Sequence, residues 1–208
     1  MNNARESPRR DLPQTSGDSL FRTHPRNVSG KLEIWLVIIL VCAGGLLRLA
    51  TLDHDSLWFD EGISVSASGF SLGYLWSVPF DVHPPVYFTL LHAFRALGDS
   101  ETILRLPSAL ASTLTLVPAY LLARALIGRA GALIALALLA GSYVNLTYAV
   151  TARNYAVLFL LLMTAFAALH HVWSRYRTAP SGLPGKLSLP ALLYVVAAIG
   201  ALYTHNIA

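Results

Sequence analysis

Two short polar clusters occur in a chain that is otherwise mostly apolar. The first, residues 53–61, holds four carboxylates and one histidine and ends with the adjacent pair Asp60 and Glu61. The second places Asp81 two residues before His83, and two prolines follow. Carboxylates and imidazoles exchange protons with substrates and bind cations. The two clusters therefore indicate a candidate polar site.

The adjacent acids Asp60 and Glu61 allow more than one interpretation. One carboxylate would act as a general base, and its neighbour would raise its pKa by like-charge repulsion. Neighbouring residues on a helix point about 100° apart, so Glu61 would alternatively hold structure or a metal ion. A third interpretation is that both acids cap a helix at the membrane surface. The residues alone leave these alternatives open.

Asp81 and His83 lie on one face only if their segment is extended. In that case an acid and an imidazole would ligate a divalent cation. The alternative is an N-terminal cap, because proline is favoured in the first turn of a helix.

Composition places these clusters in a membrane protein. Of the 208 residues, 55% are hydrophobic and only 12% are charged, whereas soluble domains carry about 25% charged residues. The basic residues that give the net charge of +4 fall in short groups between apolar runs, which is typical of membrane topology and not of a nucleic-acid-binding protein. We expect an all-α polytopic membrane protein.

The apolar runs predict five spans with the N-terminus in the cytoplasm. Residues 1–30 are polar and predict a disordered cytoplasmic tail. Arg48, near the end of the first span, is expected to snorkel to the interface. Residues 52–102 are expected to form an outer loop with interfacial helices, because the apolar run 84–97 covers only about 21 Å. The predicted spans are about 34–51, 103–127, 131–150, 156–173 and 189–203.

Two arginines, Arg105 and Arg153, fall at the outer ends of predicted spans. A guanidinium donates two parallel hydrogen bonds, which suits phosphate recognition. The alternative is anchoring at the membrane interface. This topology places both arginines on the same side of the membrane as the two acidic clusters.

Four motifs in order resemble one known family. They are Leu57–Glu61 (LWFDE), His83–Tyr87 (HPPVY), Leu104–Ser108 (LRLPS) and Ala152–Tyr155 (ARNY). Together they resemble the N-terminal part of GT-C membrane glycosyltransferases, in the branch of protein O-mannosyltransferases and the lipid A aminoarabinose transferase. The resemblance implies a cell-membrane enzyme that transfers sugar, with inversion, from a polyprenyl-phosphate donor to a lipid, glycan or protein acceptor on the extracytoplasmic face.

The resemblance also implies roles for individual residues. Asp60 matches the catalytic acid of the family and is the expected base, with Glu61 as the second catalytic carboxylate. Relatives often have Lys-Pro-Pro where this chain has His83-Pro84-Pro85. From side-chain chemistry rather than from the resemblance, the expected ligands of the donor phosphate are Arg153, Arg105 and His83, and a divalent metal cation would be held by Asp81 and His83.

The extent of the chain suggests an alternative to an enzyme. Members of the family continue for several further spans, so a chain that stops at Ala208 is expected to be an N-terminal fragment. The alternative function is a non-catalytic truncated membrane paralogue or an assembly subunit. A transporter is disfavoured, because the central parts of the predicted spans are nearly uncharged.

Overall fold

The structure is a computed structural model that describes residues 30–53, 56–77, 83–178 and 188–205. All regular elements in these ranges are helices, which confirms the all-α prediction. The predicted tail lies outside the described residues except for Gly30, the first residue of the first helix. The helices are α1 (Gly30–Ala50), α2 (Phe59–Ser68), α3 (Leu72–Ser77), α4 (Val86–Arg95), α5 (Glu101–Ala140), α6 (Tyr143–Ala149), α7 (Tyr155–Thr178) and α8 (Leu189–Leu202).

Helix α5 folds back on itself at Gly128. This residue has φ 76° and ψ −178°, a conformation that is essentially restricted to glycine. Leu116 and Tyr120 before the turn pack in one buried cluster with Ala132 and Leu136 after it. The 40 residues of α5 therefore form two antiparallel arms, as the predicted loop at residues 128–130 requires.

The long helices pack side by side into a bundle. Helix α1 lies against α5, α5 against α7, and α7 against α8. Within the described ranges α1, α5 and α7 are long and apolar enough to cross a membrane, and α8 is a shorter apolar helix of 14 residues. The chain is thus a multi-pass membrane protein. The five-span topology and its orientation stay predictions.

The short helices α2, α3 and α4 lie together at one end of the bundle. Tyr87 and Leu91 of α4 are buried in a cluster that also contains Leu104 of α5 and Val157 of α7. Ten residues of helix extend only about 15 Å, so α4 is too short to cross a bilayer. These contacts fix the short helices against the ends of α5 and α7.

Two expectations from the sequence are corrected. The helix predicted for 131–150 is divided, because α5 ends at Ala140 and the Ser142 side chain caps a new helix, α6. Arg48 does not snorkel: its side chain is fully buried, and Nε donates to Ser112 Oγ at 2.8 Å. Its Nη1 donates to Gly44 O at 2.7 Å and to Ala140 O at 3.2 Å. Through these neutral oxygens the Arg48 guanidinium links α1 to both arms of α5.

Candidate active site

Glu61 is fixed inside the protein by four hydrogen bonds. Its Oε1 accepts from Arg105 Nε at 3.0 Å and from the Ala152 backbone N–H at 2.7 Å. Its Oε2 accepts from Arg105 Nη2 at 3.0 Å and from the Trp58 N–H at 3.1 Å. The last contact caps α2, as one of the alternative interpretations of this acid expected.

The pKa of Glu61 reflects this environment. Burial alone would raise the pKa of its carboxyl, but the hydrogen bonds from Arg105, Ala152 and Trp58 and the charge of Arg105 bring the pKa below 4.5. Glu61 is therefore held as a carboxylate whose lone pairs are already used. That geometry suits a residue that positions α2 better than one that exchanges protons with a substrate.

Arg105 is the central residue of the same buried hydrogen-bond network. Besides its two bonds to Glu61, Nη1 donates to Leu52 O at 3.0 Å and Nη2 donates to Ser56 O at 3.3 Å. The side chain is only 4% exposed. Arg105 thus ties the end of α1, the segment before α2 and the start of α5 together.

Asp60 has the opposite environment from its neighbour. Its side chain is half-buried and lines a cleft of about 560 Å³. Within the described ranges no residue donates a hydrogen bond to the Asp60 carboxylate, whereas its backbone oxygen accepts from Arg153 Nη1 at 3.2 Å. Successive residues of α2 thus separate into one carboxylate that faces the interior and one that faces the cleft.

Arg153 lines the same cleft and contacts α2 directly. Its Nη1 also donates to Ser64 Oγ at 3.4 Å, and its guanidinium carbon lies 6.0 Å from the centre of the Tyr155 ring. Ser108 Oγ donates to the Arg153 carbonyl at 3.1 Å, which fixes the backbone as well. The guanidinium is therefore already oriented at the wall of the cleft, with Asp60 beside it.

His83 joins this group from the segment before α4. Its Nε2 lies 3.2 Å from Arg153 Nη2. Because a guanidinium only donates, we assign Nε2 as the acceptor and the proton to Nδ1. The ring also packs against His205, with 4.7 Å between ring centres. The end of α8 lies next to His83 and Arg153 as well, because Asn154 Nδ2 donates to Thr204 O at 2.8 Å.

The described residues do not fit a divalent cation. Asp81 lies outside them, and among them no group of three or more His, Cys, Asp or Glu side chains is placed to hold a metal ion. The Nε2 of His83 is occupied by the Arg153 guanidinium, whose positive charge would repel a bound cation. The metal site at Asp81 and His83 stays a prediction.

The structure thus brings together five of the predicted site residues and places them in different surroundings. Asp60, Glu61, Arg105 and Arg153 all line one cleft, and His83 contacts Arg153. Sequence reasoning did not single out Ser64 or Ser108, whose hydroxyls orient Arg153. The LRLPS motif contained Ser108, but its hydroxyl role depends on a long-range contact.

Comparison with known proteins gives one family match. Residues 82–180, just under half of the chain, match the family model of dolichyl-phosphate-mannose-protein mannosyltransferases. No curated protein and no solved structure matches the chain significantly. The matched segment contains His83, Arg105 and Arg153. The match confirms the resemblance to GT-C enzymes and, at the level of the family, indicates a membrane protein of the glycosyltransferase type.

Proposed function

We propose that the cleft transfers a sugar from a polyprenyl-phosphate donor to an acceptor, with inversion and with Asp60 as the base. One observation carries the proposal. The cleft places the Asp60 carboxylate, to which no described residue donates a hydrogen bond, beside an oriented guanidinium, that of Arg153, whose Nη1 lies 3.2 Å from the Asp60 backbone oxygen. In the predicted topology this cleft opens on the extracytoplasmic face of the cell membrane and the N-terminus is cytoplasmic.

The proposed reaction needs a proton acceptor and a stabilised leaving group. An acceptor hydroxyl attacks the anomeric carbon of the sugar, and its proton passes to the Asp60 carboxylate. The bond between the anomeric carbon and the phosphate oxygen breaks, and polyprenyl phosphate leaves with one more negative charge than the phosphate group of the donor carried. Arg153 faces the place where that charge develops, which is where a preorganised cation accelerates a reaction most.

The remaining residues have positioning roles in this proposal. Glu61 and Arg105 fix α2, so that Asp60 points into the cleft. His83 accepts from Arg153 and orients the guanidinium, or it contacts the phosphate itself once a donor displaces that hydrogen bond. The reaction is written with the described residues alone, and the metal site at Asp81 and His83 stays a separate prediction.

Two variants separate binding from chemistry. Asp60→Asn retains the size of the side chain but removes the base, so transfer of mannose from a polyprenyl-phosphate-mannose donor is expected to fall by about 10²- to 10⁴-fold. Its affinity for polyprenyl phosphate is expected to stay within about twofold of wild type. Arg153→Gln is expected to weaken binding of polyprenyl phosphate by at least about tenfold. Binding is measured by microscale thermophoresis on the protein in detergent, and transfer by radiolabel.

Matched controls exist outside the cleft. Asp53→Asn removes an exposed carboxylate that does not line the cleft, and Arg177→Gln removes an exposed arginine near the end of α7. Both are expected to bind and transfer as wild type does. Normal transfer by Asp60→Asn, or normal carrier binding by Arg153→Gln, would overturn the assignment. A wild-type chain that binds no polyprenyl phosphate would favour the non-catalytic membrane protein.

A further inference from the structure

A second charged cluster lies where α1 begins and α5 turns. The Glu33 carboxylate accepts from Tyr120 OH at 2.5 Å and pairs with Arg124 Nε at 2.6 Å and Arg129 Nε at 3.2 Å. Glu33 and Tyr120 are buried, while the two arginine side chains are each 44% exposed. One carboxylate between two guanidinium groups leaves a net charge of +1.

This cluster lies at the opposite end of the bundle from the Asp60 cleft. Arg105 and Arg124 are both on the first arm of α5, 19 residues apart in sequence. At 1.5 Å per residue their backbones are separated by about 28 Å. A bilayer has a hydrocarbon core of about 30 Å. The two charged layers are therefore spaced as the two interfaces of one membrane are.

A cleft of about 590 Å³ opens beside this cluster, between the turn of α5 and the helices α7 and α8. Its polar wall is formed by Arg124 and Arg129 of α5 and by His170 and His171 of α7, and apolar side chains such as Leu121 and Leu193 form the rest. An imidazole offers an N–H donor in its neutral as well as its charged form. The cleft thus combines a cationic rim with apolar walls and contains no acidic side chain among its lining residues.

We propose that this cleft binds the phosphate headgroup of an anionic phospholipid in the leaflet opposite the Asp60 cleft. The arginines and histidines would bind the phosphodiester, and the apolar walls would cover the first part of an acyl chain. Basic clefts between membrane helices at an interface recognise anionic lipids in this way. A free phosphate ion would use the rim but would gain nothing from the apolar walls. The proposal does not depend on the sugar-transfer reaction.

Native mass spectrometry of the full chain in detergent micelles tests the proposal, with dioleoyl phosphatidylglycerol and dioleoyl phosphatidylcholine as the added lipids. Wild type is expected to bind phosphatidylglycerol at least about fivefold more tightly than phosphatidylcholine. Arg129→Gln is expected to weaken phosphatidylglycerol binding about fivefold, the effect of one surface arginine on binding to anionic lipid. Glu33→Gln is expected to strengthen it, because the net charge of the cluster rises from +1 to +2.

The controls address folding and the source of the phosphate. The double variant His170→Gln, His171→Gln leaves the Glu33 contacts intact and is expected to weaken phosphatidylglycerol binding even if Arg129→Gln fails to fold. Arg177→Gln removes an exposed arginine near the end of α7, outside the residues that line the cleft, and is expected to change binding less than twofold. Equal binding of both lipids, equal losses in Arg177→Gln and the double variant, or displacement of the lipid by millimolar inorganic phosphate would overturn the proposal.

Discussion

The buried pair of Glu61 and Arg105 permits a quantitative test of what holds α2 in place. We consider Glu61→Gln, Arg105→Met and the double variant. Glu61 is 2% exposed and Arg105 is 4% exposed, so neither charged side chain can reach solvent when its partner is removed. All four hydrogen bonds to the Glu61 carboxylate come from N–H donors, so the NH₂ group of a glutamine would face another donor.

The expected magnitudes follow from this geometry. Removing one member of a buried ion pair costs about 3–5 kcal/mol of folding free energy, and each single variant should lose about that much. Arg105→Met also leaves the carbonyl groups of Leu52 and Ser56 without this donor, which adds to its cost. In the double variant both charges of this pair are removed together. Its loss should therefore be about 2–3 kcal/mol smaller than the sum of the single losses.

Reversible unfolding in mixed micelles, followed by tryptophan fluorescence as SDS is added, measures these differences. Asp99→Asn is the matched control, because Asp99 is 66% exposed and pairs with Arg95 four residues away on the surface. Such a pair contributes less than about 1 kcal/mol. A loss in Glu61→Gln no larger than that of Asp99→Asn would refute the positioning role and return Glu61 to the candidates for proton transfer. Additive single losses would show that the two side chains do not act on each other.

Two further predictions concern pH and the turn of α5. The pKa of Glu61 is lowered by folding from its ordinary value of 4.5, so its stabilisation is complete above about pH 4.5 and is lost as the pH falls through the folded-state pKa. Thermal unfolding of wild type should therefore shift to lower temperature between pH 5 and pH 3 more steeply than that of Glu61→Gln, and parallel curves would contradict this. Gly128→Ala should cost about 1–3 kcal/mol, because alanine is strained at φ 76° and ψ −178°. Gly73→Ala, a helical site with open space around the added methyl group, should be neutral or slightly stabilising in the same SDS titration.

Much of the architecture was predictable because the length of each apolar run in the sequence sets the length of the helix that it can form. The runs near residues 34–51, 156–173 and 189–203 each became a helix within a few residues of the predicted ends. The helix break after Ala140 was missed, because a single Gly-Ser step inside an apolar run is a weak local signal. Arg48 was misplaced for a different reason. Snorkelling is the default for an arginine near a helix end, and two of the three oxygens that accept from the buried Arg48, those of Ser112 and Ala140, are far away in sequence.

The site was predictable as a set of residues but not as a set of roles. Motifs in order identified Asp60, Glu61, Arg105 and Arg153, which the structure places around one cleft. Arg105 donates to the Glu61 carboxylate across 44 residues of sequence, and Arg153 donates to the backbone oxygen of Asp60 across 93 residues. No local pattern carries that information. The sequence analysis therefore assigned both arginines to phosphate binding, whereas in the structure the two guanidinium groups have different hydrogen-bond partners.

In the proposed mechanism, the adjacency of Asp60 and Glu61 lets one helix provide both a rigid anchor and the catalytic base. Side chains of neighbouring residues on a helix diverge by about 100°, so once Glu61 is clamped by Arg105 and the Ala152 N–H, the direction of Asp60 is determined. A looser anchor would let α2 rotate about its axis, and a rotation of a few tens of degrees would turn Asp60 away from Arg153. Catalytic groups must be held within about 0.5 Å of their productive position. The buried ion pair therefore acts on Asp60 without touching any substrate, and loosening it should reduce transfer while carrier binding to Arg153 persists.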